Sequence, residues 1–289
     1  MGYQLKHSVL LSDLAKQLDL AFKGADIEVR GVAPFNNVAS GELSFTKEIS
    51  VTVPKIGLIV PKGTDIKGAD SLGIIFSDNP RLDFIRALAF LEASIGFATY
   101  DFPSDIHPSV KLGQNVVIEN GCKLAEGVVI EHNVVIHAGT SIGKNSRIRS
   151  CSSIGGDGFG FERLEDGTPL RFPHLGGVVI GQDVEVGSCT AVARGTLSDT
   201  LIDDYVKIDN LVHVAHNVHI KQGAFIIACA ELSGGVVVGK NAWVAPNSCT
   251  HQKINIGDNS LVGLGAVVTK NVPENTVFAG NPAKKIRDL

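Results

Sequence analysis

The chain has 289 residues, more than one ordinary domain, and a net charge of −4 with a pI near 6.1, so a main domain with a smaller appendage is expected and nucleic acid is excluded as a partner. Hydrophobic residues make up 44% of it and glycine fills 32 positions against a single Trp, a composition that excludes disorder and suits a core of small and β-branched side chains. The longest apolar stretches, such as 72–76, are too short to span a bilayer, and residues 1–20 lack the apolar centre of a signal peptide, so no membrane span and a cytoplasmic location are expected.

Residues 1–104 read as a small α/β domain. A helix is predicted over 10–20, strands over 27–32, 57–60 and 72–76, and a second helix from Pro80 to about residue 92. Pro80 just after Ser77 and Asp78 is a helix-start signal. The run Phe-Pro-Ser-Asp-Ile-His-Pro at 102–108 is a linker. Five cysteines (Cys122, Cys151, Cys189, Cys229, Cys249) show no metal-type spacing, and an odd count in a reducing compartment points to free thiols.

From Ile106 a branched aliphatic residue recurs every six positions, through Leu112, Ile118, Leu124, Ile130 and onward to Ile154. The rhythm resumes at Ile180, Val186 and Val192, skips four residues, and runs from Ile202 to Val268. Four residues after each aliphatic stands a small or β-branched residue, with Ile254 the departure among complete repeats. This period is neither helical nor alternating, and it is the mark of a β-helix whose stacked coils bury one continuous core. Three hexapeptides make a coil, so residues eighteen apart stack at roughly 4.8 Å. A mainly β architecture follows: the α/β domain, a β-helix over 105–272 with a loop at 155–179, and a tail at 273–289. Loops of that length inside a compact domain tend to be functional.

The densest polar cluster is Asp209-Asn-Leu-Val-His213-Val-Ala-His216-Asn217-Val-His219. Stacking arithmetic sets Gly234 over His216, with His251 and Gln252 near the equivalent position one coil further. A base, a bare backbone amide and a second polar ring along one ladder suit acyl transfer to an amine, which needs a proton acceptor and a donor to the tetrahedral oxyanion. An exposed turn aspartate and solvated corner histidines are the plainer readings of the same residues. The run Gly156-Asp-Gly-Phe159-Gly-Phe161 opens no helix and lacks a following Lys-Ser/Thr, so it is not read as a phosphate loop.

Four segments carry a resemblance to the UDP-3-O-(3-hydroxyacyl)glucosamine N-acyltransferases of lipid A synthesis: residues 27–45, Ile106-His-Pro-Ser, the Gly-Phe-Gly-Phe loop, and Lys207-Ile-Asp-Asn-Leu-Val-His-Val-Ala-His-Asn217. The resemblance implies a left-handed parallel β-helix, a homotrimer with sites between neighbouring helices, and acyl transfer to the amine of a nucleotide-linked aminosugar. It makes His216 the general base, Asp209 its orienting partner and Gly234 the oxyanion donor, and it matches His251 to a second histidine only across a two-residue deletion. Phe45, Asn217, Phe159 and Phe161 are the implied substrate contacts. Of the uracil-gripping Phe, Asn and Tyr, Phe45 is kept, while Glu48 and Val51 replace the others; Ala193 replaces the aspartate of an Asp-Arg-Gly sequence.

The ending Val277-Phe-Ala-Gly-Asn-Pro-Ala-Lys-Lys-Ile-Arg287 is similar to the tails of CoA-dependent sugar acetyltransferases. Lys270, Lys284 and Lys285 are therefore the candidate donor-binding residues, with acyl carrier protein or CoA as the acyl carrier and no cofactor or metal. A CoA-dependent nucleotide-aminosugar N-acyltransferase outside lipid A synthesis is the nearest alternative. Two others belong to different classes: a zinc hydratase of the γ-carbonic anhydrase type, which would need His213, His216 and His219 to converge, and a non-catalytic binding module.

Overall fold

The structure, a computed structural model, describes residues 3–49, 54–65, 71–98, 100 and 102–289. It divides into two compact units, one made of residues 1–99 with 160–175, the other of 100–159 with 176–289. The expected loop is thus shared between them: its middle, a hairpin pairing Phe161–Arg163 with Pro169–Arg171, belongs to the N-terminal unit. There Phe172 packs on Phe84 with ring centroids 6.4 Å apart, and Arg81 reaches Glu162 at 2.9 Å.

The N-terminal unit is built on a six-stranded mixed sheet. Its order is Tyr3–Leu10, Glu28–Val32, Glu42–Phe45, Gly57–Pro61, Gly73–Ser77, Ala21–Gly24, with the two edge pairings antiparallel and the central ones parallel. Helix α1 (Leu11–Gln17) is shorter than expected, while α2 (Pro80–Ser94) begins at the signalled proline. Asn79 caps α2 by accepting the Leu82 amide at 3.2 Å, which satisfies one of the orphan donors of its first turn. Phe84, Ile85, Leu88 and Leu91 bury the inner face of that helix.

In the second unit every hexapeptide supplies a two- to four-residue strand, and the strands stack into three parallel faces. The first face holds eight strands from Asp105–Ile106 to Asn255–Ile256, and the third eight from Val117–Ile118 to Val267–Val268. The second face begins at Lys111–Leu112 and holds ten. Registers follow the eighteen-residue rule, with Ile106 opposite Leu124 opposite Ile142. At two places the interval lengthens, to 38 between Ile142 and Ile180 and to 22 between Ile180 and Ile202. Both lengthenings are absorbed at corners, because the aliphatic partners remain opposite one another.

Aliphatic positions from Leu124 to Val268 are at most 3% exposed where buried in this core, and the small residues between them turn the corners. Ile106 and Leu112 are exposed, since the first coil has no coil of the solenoid beneath it. The other end is closed differently. Thr276–Ala279 adds to the second face beside Leu261–Val262, and Lys284–Asp288 returns antiparallel to it. Phe278 and Ala283 pack on the core, so the tail serves as a cap of the kind that terminal repeats need. Among the described residues, no helix is long and apolar enough to cross a membrane.

A test of the stacked core is Ile226→Ala. Ile226 is 0% exposed and flanked by Ile208 and Val244 in register, so the truncation should cost about 3 kcal/mol through the cavity it leaves. A clear fall in Tm is expected; an unchanged Tm would mean that this layer is not packed as described.

Candidate active site

His216 follows the third-face strand His213–Val214 and sits at the corner before the first face is resumed at His219–Ile220. Its surroundings are made by the coil below. The chain there carries four extra residues between Val192 and Ile202, and Asn217 is bound to that lengthened segment from several sides. Asn217 Oδ1 accepts from the Thr196 amide at 3.2 Å and the Thr196 hydroxyl at 2.9 Å. Its Nδ2 donates to the Ser198 carbonyl at 2.9 Å and lies 3.0 Å from the Ser198 hydroxyl, while its backbone amide donates to Thr200 Oγ1 at 2.9 Å. Asn217 has φ 60°, a left-handed conformation that asparagine tolerates well.

This network decides the state of the histidine. His216 Nδ1 lies 3.0 Å from Asn217 Oδ1. Since Nδ2 is committed to a carbonyl, Oδ1 must be the acceptor, and Nδ1 of the neutral ring carries the proton. Nε2 is then the basic nitrogen. One coil up, Gly234 lies against the same ring: a Cβ there would fall 2.7 Å from His216 Cε1 and 2.8 Å from Nε2. The Gly234 carbonyl accepts from the Lys253 amide at 2.9 Å. Its own amide donates to no acceptor among the described residues. His216 and Gly234 thus stand on one ladder, as the stacking arithmetic anticipates.

Asp209 is not brought to this site within the chain. Its Oδ1 accepts the Asn210 amide at 2.7 Å and its Oδ2 the Ala228 amide at 3.2 Å. The same clamp occurs at two other corners, where Glu119 accepts the Ala138 amide and Glu131 the Ser150 amide, each nineteen residues further along the chain. The Ala138 amide is the main cause that holds the Glu119 carboxyl below its usual range. Asp209 follows a second-face strand and His216 a third-face strand, so their corners differ. A partner of the ring in the chain is Asn217. The signal for this was present in the sequence as the ten-residue interval from Val192 to Ile202.

His251 stands one residue off the ladder, exposed, with Nδ1 3.1 Å from the Gln252 carbonyl; Gln252 is the residue in register above Gly234. His213 points outward from its strand, and His219 Nε2 pairs with Asp203 at 3.0 Å on the first face. The three histidines of the cluster thus diverge, and among the described residues no group of three His, Cys, Asp or Glu is placed to hold a metal.

Residues 121–156 match the family described as bacterial transferase hexapeptide (six repeats). The UDP-3-O-acylglucosamine N-acyltransferase of Campylobacter lari is 36% identical to this chain, covering 96% of it and 94% of the relative; that of Campylobacter concisus is 37% identical, covering 93% and 92%. The chain belongs to this family. It is an acyltransferase. The solved structure of LpxA from Acinetobacter baumannii superposes with TM-score 0.58 at 22% identity, covering 65% of this chain and 71% of that one. That likeness concerns the fold, a left-handed parallel β-helix.

The remaining expected site residues of this UDP-3-O-acylglucosamine N-acyltransferase relative belong to both units. Phe45 lies in the N-terminal unit with its ring 4.9 Å from that of Phe84, half-buried rather than free on both faces. Glu48 is exposed, and Val51 lies outside the described residues. Phe159 is 90% exposed, whereas Phe161 is covered by the Arg171 guanidinium at 4.7 Å. Arg194, beside Ala193, is drawn inward, donating to the carbonyls of Gly155 and Ala138, both at 2.6 Å. Lys270 is exposed, and so are Lys284 and Lys285 on the returning strand of the cap, where Lys285 pairs with Asp288 at 2.6 Å.

Proposed function

We propose that this acyltransferase moves an acyl group from a thioester carrier to the amine of a nucleotide-linked aminosugar; its relatives are named as N-acyltransferases of UDP-3-O-acylglucosamine. The observation that carries this reading is the paired geometry of His216 and Gly234. His216 Nε2, the unprotonated nitrogen when Nδ1 donates to Asn217 Oδ1, takes a proton from the attacking amine. The amine nitrogen bonds to the thioester carbonyl carbon, and the resulting oxyanion is stabilised by the Gly234 amide. Collapse of that intermediate breaks the C–S bond, and the proton held by His216 passes to the departing thiolate. Amide and thiol are the products. His251 adds a polar group beside the ladder for the acceptor sugar, and a homotrimer supplies the second wall that a convex corner lacks. Synthesis of lipid A is the pathway in which such a product has a use.

The carrier is the open chemical choice, and it sets the experiment. Purified protein is given a UDP-linked 3-O-acyl aminosugar with either a short acyl-CoA or the acyl carrier protein, and amide formation is followed by mass spectrometry. Turnover with acyl-CoA is expected, with a KM raised severalfold by Lys284→Ala, because an exposed ammonium on the cap strand suits a CoA phosphate. An inert acyl-CoA beside an active carrier protein would assign the donor to the protein. Amide formation with neither would sink the acyl-transfer reading of the site.

A further inference from the structure

Cys151 and Cys189 occupy the same corner of consecutive coils. On one side of that corner Ile148 lies opposite Val186, and on the other Ser153 lies opposite Ala191, an offset of 38 in both cases. Adding 38 to 151 gives 189, so the two cysteines are in register. The Cys189 amide also donates to the Ser150 carbonyl at 3.1 Å. Both residues are left-handed, with φ 64° and 55°, and both are exposed. In-register residues of adjacent strands lie roughly 4.8 Å apart, within the Cα separation of about 4.4–6.8 Å that a disulfide spans.

The other thiols are placed differently. Cys229 stands at this corner two coils beyond Cys189, with Leu211 between, as the amide bonds of Leu211 to Ser188 and of Cys229 to Asn210 record. Twice the coil spacing exceeds the limit of about 7 Å for bridging. Cys122 is buried in the core and Cys249 lies on a third-face strand.

We propose that Cys151 and Cys189 form a dithiol–disulfide modification site that reacts with small-molecule disulfides such as oxidised glutathione. The thiolate of one cysteine attacks a glutathione sulfur, releases one glutathione thiolate and leaves a mixed disulfide. The second cysteine, as thiolate, attacks the protein sulfur of that mixed disulfide and expels the other glutathione. Both protein thiols lose their protons, one glutathione disulfide is reduced to two thiols, and one S–S bond links the coils. This bond closes the segment that contains the whole 160–175 excursion. It ties the coil from which the chain departs to the coil at which it resumes.

The test uses the full chain, reduced and then equilibrated with oxidised glutathione without denaturant, followed by peptide mapping under non-reducing conditions. A peptide linking Cys151 to Cys189 is expected, unaffected by Cys229→Ser. In Cys189→Ser, Cys151 should instead keep a glutathione adduct. Closing so long a loop should raise Tm by about 5–10 °C, reversibly on reduction. Separate glutathione adducts on Cys151 and Cys189 in the unsubstituted chain, or links to Cys229 or between chains, would overturn the proposal.

Discussion

Replacing His216 by alanine is expected to lower kcat by about 10²-fold or more, with the protein still folded. The residue is a corner side chain rather than a core one, and the layers around it are held by Val214, Leu232 and their stacked neighbours. Its loss removes the nitrogen proposed to receive the amine proton, while the Gly234 amide stays in place. Binding of the acceptor should therefore change less than turnover. Steady-state rates and a thermal melt on the same sample separate these effects. Near-normal kcat would show that another group, or water, accepts the proton, and the base would have to be sought elsewhere.

Gly234→Ala is expected to act nearly as strongly by a different route. The backbone there is not in the left-handed region, so alanine meets no conformational penalty of its own. The obstacle is the imidazole, 2.7 Å from where the new methyl would lie. That ring is held from the other side by Asn217, itself bonded to Thr196, Ser198 and Thr200. It must therefore swing away, and a displacement of this order costs about 10²-fold in rate when the reacting groups need close alignment. Loss of kcat with little change in Tm is the expected pattern. Unimpaired turnover would mean that His216 works from another rotamer.

These two residues illustrate which parts of the site were legible in the sequence. Gly234 over His216 follows from counting eighteen, because a solenoid converts sequence interval into vertical distance. Asn217 as a partner of His216 does not follow, since its cradle depends on the path of four surplus residues in the coil below. No periodic rule gives that path. Asp209 was matched to His216 by resemblance, yet it serves the amide clamp also made by Glu119 and Glu131. In the N-terminal unit α2 is readable from Pro80, whereas the edge strands Tyr3–Leu10 and Ala21–Gly24, which carry little buried pattern, and the short buried strand Glu42–Phe45 are absent from the sequence reading. The tail was taken as separate because its strands lack the six-residue rhythm, although they finish the second face.

The surplus residues between Val192 and Ile202 have a consequence for how such a molecule can change over generations. An insertion inside a strand shifts every later side chain of that strand relative to its packing partners. Here the lengthening is discharged at a single corner, and the strands above resume in step. Residues can thus be added beside the reacting groups without renegotiating the interior. The stacked core and the corner beside His216 are separately editable, one corner at a time.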